Sequence, residues 1–437
     1  MSSSTDDVRD EVAAWLDDHW DLDRTVGEWW QLLADSGWGF PTWPKEWHGR
    51  GLDSAALTTV SQVFQERGIV GAPGGLGQTM GGPVVIQHGD DDQRERFLGR
   101  LASGWEGWCQ FFSEPGAGSD LAGAQTRAVR DGDEWIVSGQ KVWTSGARTA
   151  DRGMLLARVD LDAPKHKGLG YFIIEVDQPG IEIRPLKQMT GAATFNEVFF
   201  TEARVAHADL IGRPGDGWAA AVTTLAHERG GRAGAVGVTA GVAGGGGRAE
   251  LLGRKVGDVI DESHRAPRRA ASGPNASAVD IRNPGNAGPT SPLTLLRAHA
   301  RQDDVVLRDD VTRYYIQTRV NTFNQQRSRA EAAAGKSPGP ASSITKLARS
   351  IATRMNRDLG PRILGPAGTL SGDDAPHGGA VCQSTLQAPS TSIAGGTDEI
   401  QHNIIGERVL ALPKEPEPER DLPFRDLKVG TQRSEAR

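Results

Sequence analysis

The sequence predicts a mainly α protein with a central β domain, its elements running helices, strands, helices. Three changes of texture predict it. Apolar residues at helical spacing run from Val8 to about Gln110, short β-rich runs occupy 111 to about 215, and long helical patterns return after Gly217. With 437 residues, 37% of them hydrophobic, the chain is long enough for two or three domains rather than one small binding module.

The N-terminal helical domain, 1–110, contains VRDEVAAWLDDHW, EWWQLLADSGW, SAALTTVSQVFQERGIV and DDQRERFLGRLASG, with Gly/Pro stretches such as GAPGGLGQTMGGP read as turns between them. The middle domain, 111–215, is built from TRAVRDGDEWIVSGQKVWTS, GMLLARVD, GYFIIEVD, IEIRPL and TFNEVFF. These runs are rich in β-branched and aromatic residues and predict a mostly antiparallel, barrel-like domain. The C-terminal domain, 216–413, is expected to be a helical bundle, with WAAAVTTLAHERGG, DDVVLRDDVTRYYIQTRVNTFNQQRSRAEAAAG, SSITKLARSIATRMNRDLG and TDEIQHNIIGERVLAL as its helices. Residues 265–293, dominated by Pro, Gly, Ala, Ser and Asn, are expected to form a long mobile loop. The charged, proline-rich tail, 414–437, is expected to be an extended arm.

Composition excludes several classes of function. A net charge of −7 argues against nucleic acid as a partner. No apolar run approaches the ~20 residues of a membrane span, and the N-terminus MSSSTDDVRDEVAAWL lacks the basic start and apolar stretch of an export signal. Cys109 and Cys382 are the only cysteines, too few for a disulfide scaffold or a cysteine-built zinc site. No metal is expected, and a reducing cytoplasm is the expected home.

Three short motifs carry no chemistry on inspection. GVTAGVAGGGG (237–247) follows a helical rather than a strand pattern, so a dinucleotide loop is not supported. Ser343-Ile-Thr-Lys346 matches S-x-x-K but lacks its S-D-N and K-T-G companions. Arg313, Arg319, Arg327 and Arg329 lie among Asp and Gln residues on what reads as a solvated helix. The informative stretch is WCQFFSEPGAGSDLAGAQTRAV, where Ser113 and Ser119 bracket a tight Gly-rich turn. Small residues there let a bulky ligand approach the backbone, and N–H groups and hydroxyls donate to its oxygens. In WIVSGQKVWTSGA, Trp143 and Ser145 lie two apart on a strand and so on one face, one offering a ring to stack on and the other a hydroxyl. Either segment alone is compatible with a structural hairpin.

From about residue 25 to residue 413 the chain resembles the acyl-CoA dehydrogenase family. The resemblance is carried in order by HGDDDQRERFLGRLASG, SEPGAGSD, SGQKVWTSGA, GWAAAVTTLAHER, PRILGPAGTL and GGTDEIQHNIIGERVLALP. It implies an N-terminal helical domain, a middle β domain and a C-terminal four-helix bundle, with FAD held without covalent attachment. It further implies that Ser113 meets the pyrimidine side of the flavin, Ser119 lies by cofactor or CoA phosphates, Trp143 stacks on the isoalloxazine, and Ser145 donates to flavin N5. Gly365, Gly368 and Thr397 match segments that contact the ADP half of FAD, the first of them from a neighbouring subunit. Helix-ending turns are the alternative for the glycines.

The chemistry so implied needs a carboxylate against Cα of the thioester while flavin N5 takes a hydride from Cβ. Much of the family carries that carboxylate as a Glu directly before the Gly-Thr of the C-terminal motif, where this chain has Gly395. Its N–H remains a donor for the thioester oxygen. A second branch, which includes isovaleryl-CoA and long-chain dehydrogenases, carries the base on a helix within a Glu-Arg pair. LAHERGG matches it with Glu228, and Arg229 matches a position that contacts CoA. Burial beside an acyl chain is expected to raise the Glu228 pKa. The R-x-x-F-G motif for the cofactor phosphates is not recognisable between Gly244 and Asp310, and Arg301 and Arg308 are the substitutes on offer. The resemblance implies an acyl-CoA substrate, an electron-transferring flavoprotein as electron acceptor, and a homodimer or homotetramer. The missing arginine motif and Gly395 raise a second arrangement, in which this chain is a non-catalytic or half-site partner of a homologous subunit in a hetero-oligomer acting on bulky substrates such as sterol side chains.

Overall fold

The computed structural model describes residues 5–230, 247–265, 290–333, 340–372 and 374–428. Nearly all of the 237–247 glycine stretch and most of the 265–293 loop lie outside the described residues. The chain divides into two compact units. One comprises Met1–Leu186, Ala193–Ala266 and Glu417–Arg437, and the other Lys187–Ala192 and Pro267–Pro416.

The first unit opens with α1 (Thr5–His19), α2 (Val26–Ser36), α3 (Ser54–Glu66), α4 (Gly82–His88) and α5 (Asp91–Ala102). Reciprocal capping boxes start two of them, Thr25 with Glu28 before α2 and Asp90 with Gln93 before α5. Trp29, Leu33, Phe64 and Phe97 are buried together. The indole N–H groups of Trp29 and Trp30 donate to the carbonyls of Val70 and Gly71 at 2.7 and 2.8 Å, which satisfies the polar ends of two buried rings. The GGLGQTMGGP stretch is not all turn as the sequence suggests. Gly77–Gly81 forms a π-helical turn that runs into α4. Its glycines serve close packing: a Cβ on Gly82 would lie 2.5 Å from the Trp43 ring.

The β domain follows as β1 (Trp108–Phe111), β2 (Arg127–Asp131), β3 (Glu134–Ser145), β4 (Arg152–Arg158), β5 (Leu169–Glu175), β6 (Ile181–Leu186), β7 (Phe195–Ala206) and β8 (Leu210–Ile211). They form one sheet in the order β6-β7-β3-β2-β4-β5-β8, with β1 on β4. Most pairs are antiparallel, but β1 and β2 both lie parallel to β4. Phe111, Trp135, Phe172 and Phe200 fill its core.

Three helices within the span 216–413, α6 (Gly217–Gly230), which the sequence pattern gave, and α7 (Arg248–Gly253) and α8 (Val256–Arg265), which it did not, belong to this first unit. Ala220 and Ala221 of α6 join the large core, while Val26 and Val256 bond to the carbonyls of Arg254 and Arg24 at 2.8 and 2.9 Å. The tail also departs from a free arm. After an exposed stretch, Phe424 is buried on the β domain, with its N–H donating to Ala163 O at 3.0 Å. The Arg158 guanidinium sits 3.6 Å from its ring centroid. One aromatic residue in a polar tail finds the face of a buried cation, which outweighs the cost of ordering the strand.

The second unit contains α9 (Pro292–Ala298), α10 (Val305–Ala333), α11 (Ala341–Leu364), α12 (Ala380–Thr391) and α13 (Asp398–Ile404). Leu295, Leu307, Val311, Tyr314, Leu359, Ile363 and Val381 pack its core. Tyr315, Ile316, Val320 and Phe323 of α10 remain exposed. Among the described residues no helix is long and apolar enough to cross a membrane.

Removing the Phe424 ring leaves the Arg158 guanidinium without its stacking partner. Phe424→Ala is expected to cost about 2–4 kcal/mol, read as an earlier cooperative transition in urea; an unchanged midpoint would show that the tail contributes nothing to this unit.

Candidate active site

The Gly-rich turn that leaves β1 is held by a buried ion pair. Glu114 Oε1 accepts from Lys141 Nζ at 2.8 Å and from the Thr126 N–H at 2.9 Å, and Oε2 accepts from the Gln125 N–H at 2.7 Å. Lys141, fully buried, also donates to Phe112 O at 2.9 Å. Glu114 and Ala117 close the turn itself by exchanging backbone hydrogen bonds at 3.0 and 3.1 Å. Burial pushes the Glu114 carboxyl up, but the Lys141 charge and the donated N–H groups outweigh it and hold the group below the ordinary glutamate value. Burial draws the Lys141 ammonium below the usual lysine range, opposed by Glu114.

That pair sets Ser113 beside the end of β3. The Val142 N–H donates to Ser113 O at 2.9 Å. Between Lys141 and Thr144 the register against β7 shifts, and Trp143 adopts φ 62°. A left-handed backbone at a bulky residue costs about 1–2 kcal/mol. Trp143 is 60% exposed, and among the described residues its ring makes only an edge contact, to Phe195 at 5.9 Å. Thr144 is buried, so Trp143 and Ser145 flank it on the exposed side. Ser113, Trp143 and Ser145 are thus brought together. Ser119 is exposed further along the same turn, where its neighbour Asp120 pairs with Lys165. A bare, strained indole with a hydroxyl beside it fits a flat heteroaromatic group.

Behind the turn, the buried Arg158 donates to the carbonyls of Ala122 and Ala124. Burial pulls its pKa down to about 10 against the charges of Glu114, Asp120 and Asp160, leaving it a cation at neutral pH.

Helix α6 carries Glu228 in its last turn, on the exposed side. The burial expected to raise its pKa is therefore not supplied by the described residues. The Arg229 side chain lies outside the described residues. Two hydroxyls tether the helix: Thr224 Oγ1 lies 3.1 Å from Tyr171 Oη on β5, and Thr223 Oγ1 lies 2.8 Å from His88 Nε2 on α4. Burial lowers the pKa of His88 and of His227, which keeps both rings neutral near pH 7.

In the second unit, Gly365 ends α11 at φ 61°, ψ −142°, and Gly368 is buried against Pro361. Both therefore have a structural reason to be glycine. Gly395 has φ 69° and Gly396 φ 89°. Thr397 caps α13, its hydroxyl accepting from the Ile400 N–H at 3.3 Å. Asp398 is buried against Arg354 and against Lys346 at 3.5 Å, so the lysine of the S-x-x-K motif is a structural partner. Arg301 donates to Ile363 O at 3.3 Å and pairs with Asp304 at 3.0 Å, whereas Arg308 is exposed.

Glu114, Lys141 and Arg158 are what sequence reasoning missed. The signal was present for one of them. In WIVSGQKVWTS, Lys141 falls on the parity of Trp135 and Val137, which places a charge on the core face and demands a partner there.

Three family models match the chain: the N-terminal domain of acyl-CoA dehydrogenase over 3–105, the middle domain over 109–203 and the C-terminal domain over 296–410. The chain belongs to the acyl-CoA dehydrogenase family, whose members are FAD-dependent oxidoreductases. It is 34% identical over 387 residues to acyl-CoA dehydrogenase IpdE1 of Mycobacterium tuberculosis, covering 89% of this chain and 88% of that one. It is 33% identical to acyl-CoA dehydrogenase FadE34 of the same organism, with 87% of this chain matching 46% of that longer protein. In fold it is similar to the Tcur3481-Tcur3483 steroid ACAD, with a TM-score of 0.65, 23% identity and coverage of 95% of this chain and 99% of that one. It is similar too to the ChsE4-ChsE5 complex from Mycobacterium tuberculosis, with a TM-score of 0.61, 23% identity and the same coverage.

Two outcomes follow from this geometry. Stacking a flat ring on an indole is worth about 1–3 kcal/mol, so Trp143→Ala should weaken FAD binding by roughly tenfold or more in a titration of the flavin-free protein. Equal affinity would remove the stacking role. Because the folded-state pKa of Glu114 is depressed, its contribution to stability is complete above the ordinary glutamate value and is lost as pH falls through the folded one. Acid titration should therefore destabilise the parent more steeply in that range than a folded Glu114→Gln protein, and parallel profiles would contradict the assignment.

Proposed function

We propose that this chain removes two hydrogens from the α and β carbons of an acyl-CoA thioester, giving the trans-2-enoyl-CoA, with FAD as acceptor and an electron-transferring flavoprotein as the next carrier. The observation that carries the reading is the exposed Trp143 and Ser145 beside Ser113, on the β domain to which Tyr171 ties the Glu228 helix. When bound, the flavin supplies the acceptor for the Cβ hydride. In this reading Trp143 offers its face to the isoalloxazine, Ser145 donates at N5, Ser113 meets the pyrimidine side and Ser119 serves the phosphates. Gly365, Gly368 and Thr397 serve the ADP half. Glu228 takes the Cα proton, Arg229 contacts CoA, and the Gly395 N–H donates to the thioester oxygen as charge builds there.

The hetero-oligomeric reading has its own support. Gly395 stands where much of the family has its glutamate, and α10 leaves Tyr315, Ile316, Val320 and Phe323 exposed, an apolar stripe suited to a subunit contact. Two similar folds come from a complex of two named chains and a steroid enzyme. In that arrangement this chain is a non-catalytic or half-site subunit, which shares FAD sites with a homologous subunit of an enzyme for bulky substrates such as sterol side chains. The mass and flavin content of the chain purified alone decide between the two: a flavin-replete homo-oligomer supports the first, and a flavin-poor chain that fills with FAD on adding a homologue supports the second.

Glu228→Gln keeps size and hydrogen bonding but removes the basic carboxylate. Anaerobic flavin bleaching by a good acyl-CoA should fall by ~10² or more while the thioester still binds. Bleaching at the parent rate would assign the base elsewhere.

A further inference from the structure

The Glu114–Lys141 pair takes no part in the chemistry proposed above, yet it is the most fully engaged charged group beside that site. Both of its carboxylate oxygens are used, on three donors from two different stretches of chain: Lys141 from β3, and the backbone of Gln125 and Thr126 from the segment that enters β2. The ammonium in turn reaches Phe112 O, one residue before Ser113. One residue after Lys141, Val142 binds Ser113 O, and the next is the strained Trp143. The pair therefore sits where the serine turn and the bulged strand meet. A buried ion pair is poor evidence for stability, since a well-packed apolar pair often does as well. Its directional bonds are what an apolar pair cannot reproduce.

We propose that Glu114 and Lys141 are positioning residues that preset the spacing between Ser113 and the Trp143–Ser145 segment, so that the flavin wall is formed before the flavin binds. The inference rests on the reading of Ser113, Trp143 and Ser145 as that wall. The pair touches neither flavin nor substrate in this scheme. It acts by holding two segments that would otherwise move independently, and by keeping Trp143 in its left-handed conformation against a cost that the bound ring alone would have to meet.

Two variants separate positioning from simple charge burial. Glu114→Gln leaves Lys141 without its countercharge. The double variant Glu114→Gln with Lys141→Met removes both charges, so no unpaired ion is buried, but the amide nitrogen that replaces one carboxylate oxygen is a donor and sets itself against one of the Gln125 and Thr126 N–H groups. Positioning predicts that both variants bind FAD at least tenfold more weakly than the parent and show an altered visible circular dichroism of the bound flavin, with parent-like far-ultraviolet spectra. A double variant with the parent's FAD affinity and visible spectrum overturns the proposal. A second measurement uses the unmodified chain and so does not depend on the variants folding. In protein stripped of flavin, the amides of Gln125, Thr126 and Val142 should be as protected from hydrogen exchange as in the holoenzyme; free exchange until FAD is added overturns it. If Trp143→Ala weakens FAD but the Glu114 variants do not, the positioning role is wrong. If Trp143→Ala is also without effect, the wall itself lies elsewhere.

Discussion

Placing a lysine and a glutamate in the interior of a β domain is costly unless each oxygen and each proton finds a partner. Glu114 and Lys141 meet that condition, and the way they meet it organises everything around them. Glu114 accepts from backbone N–H groups of the chain returning to the sheet, and Lys141 donates to the Phe112 carbonyl just before the turn, so satisfying the charges and shaping the turn are one event. The turn's glycines supply no side-chain packing of their own. Their conformation comes from this pair on one side and from Arg158 on the other.

From the turn, contacts lead to the helix of the proposed base. Phe112 meets Tyr171 edge to face at 5.9 Å, and Tyr171 Oη binds Thr224 on α6. Burial raises the Tyr171 pKa, so its hydroxyl stays protonated and able to bond Thr224 throughout the physiological range. A tether four residues before Glu228 fixes the helix to the β domain while leaving the carboxylate at the surface.

The C-terminal motif illustrates the opposite use of a backbone. Gly395 and Gly396 both take left-handed conformations, and the Gln401 amide grips the Gly395 carbonyl at 3.1 Å. A glutamate at 395 would have to bear φ 69°, at about 1–2 kcal/mol. The left-handed backbone gives this position a structural reason to be glycine. Asp398 anchors the loop against Lys346 and Arg354, which gives the S-x-x-K match a structural meaning.

The sequence by itself determined the class. Helical periodicity, the run of β-rich segments and six ordered motifs were enough for the helix–strand–helix order, the family, and the serine, tryptophan and glutamate candidates, because spacing and residue type are local properties. It also held an unread signal for Lys141 in the parity of one strand. What only the tertiary structure decided was which residues meet. The association of α6 to α8 with the first unit, the docking of Phe424 on Arg158, the helical path of a glycine stretch packed on Trp43, and the bulge at Trp143 all depend on partners far away in the chain. A charge on the core side of a strand declares that a partner exists. Only the folded chain, by bringing residue 114 to residue 141, shows which one satisfies it.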